Sequence, residues 1–171
     1  MKKAAMAFSG PSNSGKTTLI LKVAKKFIDD GLKVVIIKHD PGDKARFDVE
    51  GKDSYKFAQI GAEVAVMSPT RTTFFSQESK SVEDVVAMAG EFDLLLVEGL
   101  KTLPLPRISV FKDEINKDYL SFSNAIASYQ KDYVIDKPNF DLDDTQAICE
   151  WILKNAKVYY EIGRASCRER V

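Results

Sequence analysis

Gly10-Pro-Ser-Asn-Ser-Gly15-Lys16-Thr17 stands between an apolar run, Ala4-Ala5-Met6-Ala7-Phe8, and a segment of helical periodicity. That order constrains the fold more than any other feature of the chain. Five apolar residues ending at Ser9-Gly10 suit a buried parallel strand that runs into a turn. Leu19, Ile20, Val23, Ala24, Phe27 and Ile28 then recur along one helix face, with Lys22, Lys25 and Lys26 opposite and Gly31 placed as a stop. Val34-Val35-Ile36-Ile37 is continuous and β-branched, so the helix becomes a crossover between two parallel strands. A strand, a glycine-rich turn and a helix are the context in which the pattern Gly-x-x-x-x-Gly-Lys-Thr cradles phosphates.

Strands and helices continue to alternate. Residues 38–52 are polar and punctuated by Pro41, Gly42 and Gly51, which predicts a long functional loop. A short helix is expected from Ser54 to Ile60, strands at Val64–Met67 and Thr72–Phe75, and a helix around Val82–Ala89 capped by Ser81. Asp93–Val97 is the most apolar strand, Ile108–Phe111 another, Asn124–Ser128 the least patterned, and a helix closes the series at Asp144–Asn155. The expectation is an α/β, P-loop NTPase-like fold: a mostly parallel sheet flanked by helices, with an additional β segment in the second half. With 171 residues, one nucleotide-binding domain spanning 1–160 is expected. Residues 161–171 lose all hydrophobic period and resemble the translation of a sequencing-adapter oligonucleotide; they are expected to be a non-native tail.

Composition narrows the function. Lys plus Arg and Asp plus Glu each total 25, so no net field draws the surface to nucleic acid or an anionic membrane. No apolar run reaches the roughly 20 residues of a membrane helix. Cys149 and Cys167 lack metal-type spacing and suit a reducing compartment, so the cytoplasm is the expected location.

Within the loop each position has a mechanical role. Gly10 and Gly15 allow a tight turn; Ser12, Asn13, Ser14 and the residues to Thr18 present backbone N–H groups to the phosphates; the helix beginning near Lys16 points its positive end there. Lys16 reaches the terminal phosphates as a point charge, and the Thr17 hydroxyl ligates Mg2+, a hard cation. Thr18 supports the α-phosphate. Glu98 ends the apolar run 94–97 at the carboxyl edge of the sheet, where ligands of open α/β folds bind, and is the expected second metal partner; Asp93 points to the opposite edge. His39, the single histidine, follows the second strand at the same edge and is a candidate for phosphate or partner binding. Asp40, Asp43, Asp48 and Asp53 share the following loop, and one of them could join the magnesium shell or position water; Asp53 is the candidate for nucleotide binding.

Gly10–Leu19, Lys38-His39, Asp48-Val49-x-Gly51-Lys52-Asp53-Ser54-Tyr55, Gly61-Ala62 and Val97-Glu98-Gly99-Leu100-Lys101 together resemble the molybdopterin-guanine dinucleotide biosynthesis adaptor protein B family over roughly residues 4–156. The resemblance implies a GTP-binding homodimer that assists a molybdenum cofactor guanylyltransferase acting on molybdopterin, with slow GTP hydrolysis of its own. Guanine comes from the resemblance alone, because Asn116-Lys117-Asp118-Tyr119 has its acid one place too early for the anchor of many GTPases. Where relatives carry further histidines after Lys38-His39, this chain has Asp40-Pro41-Gly42-Asp43. A small-molecule kinase and a metal-delivery GTPase are the alternatives. The first calls for converging arginines, and Arg46, Arg71 and Arg107 sit in no recognisable lid; the second calls for a metal cluster, which His39 and Cys149 do not make.

Overall fold

The computed structural model describes residues 3–130 and 132–159. The expected non-native tail lies outside the described residues. Two compact units are present: one comprises the chain up to His39 and from Ala89 onward, the other Asp40–Met88.

The first unit is built on a seven-stranded sheet. Its main order is β2 (Val34–Lys38), β5 (Leu94–Glu98), β1 (Ala4–Ser9), β6 (Arg107–Phe111), β7 (Ala125–Ser128) and β8 (Asn139–Asp141). Every pairing along this order is parallel. A two-residue strand, β9 (Lys157–Val158), pairs antiparallel with Ala4 and Ala5, ahead of the point where β6 joins β1 at Ala7. Parallel sheets are buried on both faces, which is why β1 and β5 read as continuous apolar runs instead of alternating ones. One face of that sheet, carrying Met6, Phe8, Leu94, Leu96, Ile108 and Val110, packs with Leu19, Val23 and Phe27 of α1 (Lys16–Asp29) and Ile148 and Ile152 of α4 (Thr145–Asn155). Helix α1 ends where its apolar stripe ends. Gly31 adopts φ 86°, and the N–H groups of Gly31 and Leu32 donate to Ile28 and Phe27 carbonyls, closing the last turn.

The second unit contains α2 (Asp53–Gln59), an antiparallel hairpin of β3 (Val64–Met67) and β4 (Thr72–Phe75), and α3 (Val82–Ala89). Ser81 caps α3 as the sequence suggested: its hydroxyl accepts from the Asp84 N–H at 3.1 Å, and the Asp84 carboxylate accepts from the Ser81 N–H at 3.2 Å.

Each strand and helix expected from the sequence is present within a residue or two. Three elements were not expected: β8, β9 and a 3-10 helix at Lys117–Phe122. The α/β class with a mostly parallel sheet flanked by helices is the observed one, but the additional β segment expected in the second half is not separate: the strands there join the main sheet, and the separate hairpin is β3–β4 in the first half.

Candidate functional site

The first unit's parallel strands place their carboxyl ends side by side, with Phe8, Glu98 and Lys38 in register across β1, β5 and β2. The loop 10–15 leaves this edge between β1 and α1. Gly10 sits at φ 139°, and a Cβ there would stand 2.4 Å from the Val110 carbonyl oxygen and 2.8 Å from the Ser14 hydroxyl, so no other residue fits. Gly15 is the residue before α1, at φ 90°; no side chain caps the helix and its first turn holds no acid. The first-turn amides of a 14-residue helix are therefore left without a side-chain acceptor, which suits an anion.

Residues Ser12 to Thr18, with Lys38, Glu98 and Lys112, line one cavity of about 490 Å³. The Lys16 amine folds back on the loop, donating to the carbonyls of Gly10 at 3.0 Å and Pro11 at 2.5 Å. Burial lowers its pKa, Glu98 opposes that shift, and Lys38 and Lys101 add to it. Several cations thus crowd one space, an arrangement that a polyanion relieves. Thr17 and Glu98 supply two hard oxygen donors to the same cavity, a donor set that fits Mg2+.

The remaining sequence candidates are placed differently. Gly10 lies behind the loop, against Val110, shaping it without lining the cavity. His39 sits beside Glu98 outside the cavity lining: its backbone N–H donates to the Glu98 backbone carbonyl at 3.0 Å, and its Cβ would be 3.2 Å from a Cβ built on Gly99. The acidic candidates belong to the second unit. Asp40 accepts from the Lys44 and Ala45 N–H groups, and these bonds hold its carboxyl below the usual range, that of Ala45 first. Asp48 accepts from Ser54 at 2.9 Å, and Asp53 opens α2, 3.3 Å from Lys56. Among the described residues, no group of three or more His, Cys, Asp or Glu is arranged to hold a metal.

Lys38, which the sequence placed with His39 at this edge, lines the cavity, and two further contributors were not assigned from sequence. Lys112 follows β6, where the same edge rule that picked Glu98 would have found it. Arg107 carried no such signal. It is 1% exposed, at the start of β6. Its guanidinium donates to the Ser9 hydroxyl at 2.7 Å and to the carbonyls of Gly99 at 2.9 Å, Leu100 at 2.9 Å and Leu103 at 3.3 Å. One planar fork thereby joins the residue before the phosphate loop to the segment after Glu98. Lys101 stands 4.1 Å over the Tyr119 ring, pinning that segment a second time.

A family model described as molybdopterin guanine dinucleotide synthesis protein B matches residues 5–130, most of the chain. The chain belongs to that family. Among curated relatives, the molybdopterin-guanine dinucleotide biosynthesis adapter protein of Haemophilus influenzae is 27% identical over 154 residues, covering 86% of both chains. A putative adapter of the same kind from Methanocaldococcus jannaschii is 28% identical over 141 residues; the match covers 79% of this chain and 56% of that longer protein. The crystal structure of Bacillus subtilis MobB superposes with a TM-score of 0.73 at 26% identity, covering 90% of this chain and 98% of that one. Another crystal structure, of molybdopterin-guanine biosynthesis protein B, gives 0.70 at 25%, covering 88% and 98%. The fold is thus the P-loop NTPase-like fold of the MobB structures. Among the described residues, no helix is long and apolar enough to cross a membrane.

Proposed function

We propose that this protein is a cytoplasmic GTP-binding adaptor of molybdopterin guanine dinucleotide synthesis, working with a molybdenum cofactor guanylyltransferase. The observation that carries the reading is the shared cavity of Lys16, Thr17 and Glu98 at the mouth of a glycine-built loop, in a chain of this family. The Ser12–Thr18 backbone and Lys16 hold the β and γ phosphates, while Thr17 and Glu98 hold Mg2+, which supplies charge neutralisation there. His39, just past β2, stays a candidate for phosphate or partner binding, held at this edge by its backbone bond to Glu98. The lining contains lysines and neither arginine nor glutamine, so this chain's own residues give little help to hydrolysis, which is slow.

A homodimer belongs to the same proposal. Phe47, Ile60 and Met67 of the second unit are each 80% exposed or more, a density of apolar surface that suits a protein partner.

Calorimetry with Mg2+ tests the nucleotide site. The expected result is a preference for GTP over ATP, with Lys16→Ala weakening GTP on the order of a hundredfold while the circular dichroism is unchanged. Equal binding by wild type and variant sinks the phosphate assignment. Mixing the protein with the transferase and molybdopterin tests the adaptor role: more guanine dinucleotide product is expected. No stimulation, together with rapid phosphorylation of a metabolite, would hand the site to the kinase reading.

A further inference from the structure

A second hollow, of about 260 Å³, opens beside the phosphate cavity and shares Gly15, Thr18 and Lys112 with it. The two are therefore one continuous depression with two chemistries. The phosphate side carries Lys16, Lys38 and Glu98, whereas this hollow is lined by Leu19, Leu142, Tyr129 and Lys22, whose amine is held at 2.8 Å by Asp143. Its wall elements are fixed by the fold. Thr18 and Lys22 lie one turn apart on α1, Lys112 follows β6 and Tyr129 follows β7, so the hollow continues the carboxyl edge of the same sheet.

A nucleotide has a polyanionic tail and a flat aromatic head. With its phosphates on the loop, the head can leave over charged Lys38 and Glu98 or over the apolar hollow, and burial of the ring favours the second. We propose that the hollow is the nucleobase subsite, with Tyr129 as its stacking wall and Lys112 as the donor that reads the keto edge of guanine. This assignment rests on the triphosphate reading of Ser12–Thr18. An ammonium only donates. Guanine offers O6 and N7 as acceptors, while adenine places an amino donor where guanine has O6, so Lys112 matches guanine and opposes adenine. Tyr129 is half exposed and its ring is not part of the apolar core, so replacing it leaves the fold in place.

The experiment titrates wild type, Tyr129→Ala, Tyr129→Phe and Lys112→Met with the magnesium complexes of GTP, ATP and inorganic tripolyphosphate. Tripolyphosphate reads the loop alone. Tyr129→Ala is expected to weaken GTP by about tenfold while leaving tripolyphosphate within about twofold, and Tyr129→Phe to keep GTP affinity. Lys112→Met is expected to shrink the ratio of GTP to ATP affinity by about tenfold, beyond any loss it shares with tripolyphosphate. Unchanged GTP binding in Tyr129→Ala, or an equal loss for tripolyphosphate, overturns the stacking wall. An unchanged GTP to ATP ratio in Lys112→Met overturns its role as the base reader. Wild-type protein that binds tripolyphosphate as well as GTP overturns the subsite and spares the loop; binding of neither overturns both.

Discussion

The two units use apolar residues in opposite ways. In the first, every residue of β1 is 2% exposed or less and Leu94–Val97 of β5 are at 0%. In the second, Met67 is 80% exposed and Phe74 41% on the hairpin, Ile60 is 82% exposed after α2, and only Val64 and Val86 among its large apolar residues are buried. A two-stranded hairpin is marginal by itself in water, whereas a parallel sheet with both faces covered stands on its own core. The contrast teaches that the phosphate-loop unit carries a buried core of its own, while the inserted unit leaves most of its large apolar residues on the surface, the surface that the proposed homodimer would cover.

The largest test of that contrast truncates a side chain in each half. Leu96→Ala, inside the first unit's core, is expected to lose roughly 3–4 kcal/mol of stability in urea unfolding. Met67→Ser is expected to cost less than about 0.5 kcal/mol in the separated protomer, yet to weaken self-association in sedimentation. A large unfolding cost for Met67→Ser would erase the distinction.

Next in size comes Arg107→Met, which leaves the Ser9 hydroxyl and three carbonyls without their donor. About 2–3 kcal/mol of stability is expected to go. The magnesium requirement for GTP binding should rise as Glu98 loses its fixed place, whereas magnesium-free binding changes little. Arg107→Lys, with no planar fork, should recover only part of this. Stability lost with an unaltered magnesium profile would make Arg107 a packing residue only.

The pH extremes separate the units by a smaller effect. Cys149 on α4 is buried, which raises its thiol pKa to about 11 from 9.0. Because the unfolded chain ionises first, the first unit keeps its full stability below pH 9.0 and loses some between 9.0 and about 11. The expected loss is on the order of 1–2 kcal/mol, and Cys149→Ala should flatten it. Asp40 in the second unit behaves conversely. Its lowered carboxyl contributes above the ordinary value of 3.8, and that contribution disappears as pH falls through the folded value. Hydrogen exchange at the Lys44 and Ala45 amides should quicken there, with the sheet unaffected.

Much of this was legible in the residues. The apolar runs of β1 and β5, the stripe of α1 and the glycines at 10 and 15 are local signals, and local signals are what sequence carries. The strand Ala125–Ser128 was faint in sequence yet is wholly buried as β7, because its small residues pair with β6 on one side and β8 on the other. β8 reads as Asn-Phe-Asp and β9 as Lys-Val, too short for any period; each exists because a neighbouring strand offers an unpaired edge. At the site, Glu98 was found from its position after a strand, and the same rule covers Lys38 and Lys112. Arg107 was invisible. Its four acceptors lie at Ser9, Gly99, Leu100 and Leu103, and their convergence on one guanidinium exists only after folding.

The clamp made by Arg107 also divides the labour of motion. Gly99 and Leu100 both hold positive φ, 89° and 45°, with their carbonyls turned onto the guanidinium. The entropy of ordering that wall is lost when the chain folds, not when ligand arrives, so Glu98 meets an incoming nucleotide as a fixed post. Lys16 is the opposite kind of part, a long side chain whose amine rests on the carbonyls of its own loop and would have to leave them to engage a phosphate. The site thus pairs a wall fixed by the fold with one cation whose contacts are to its own loop.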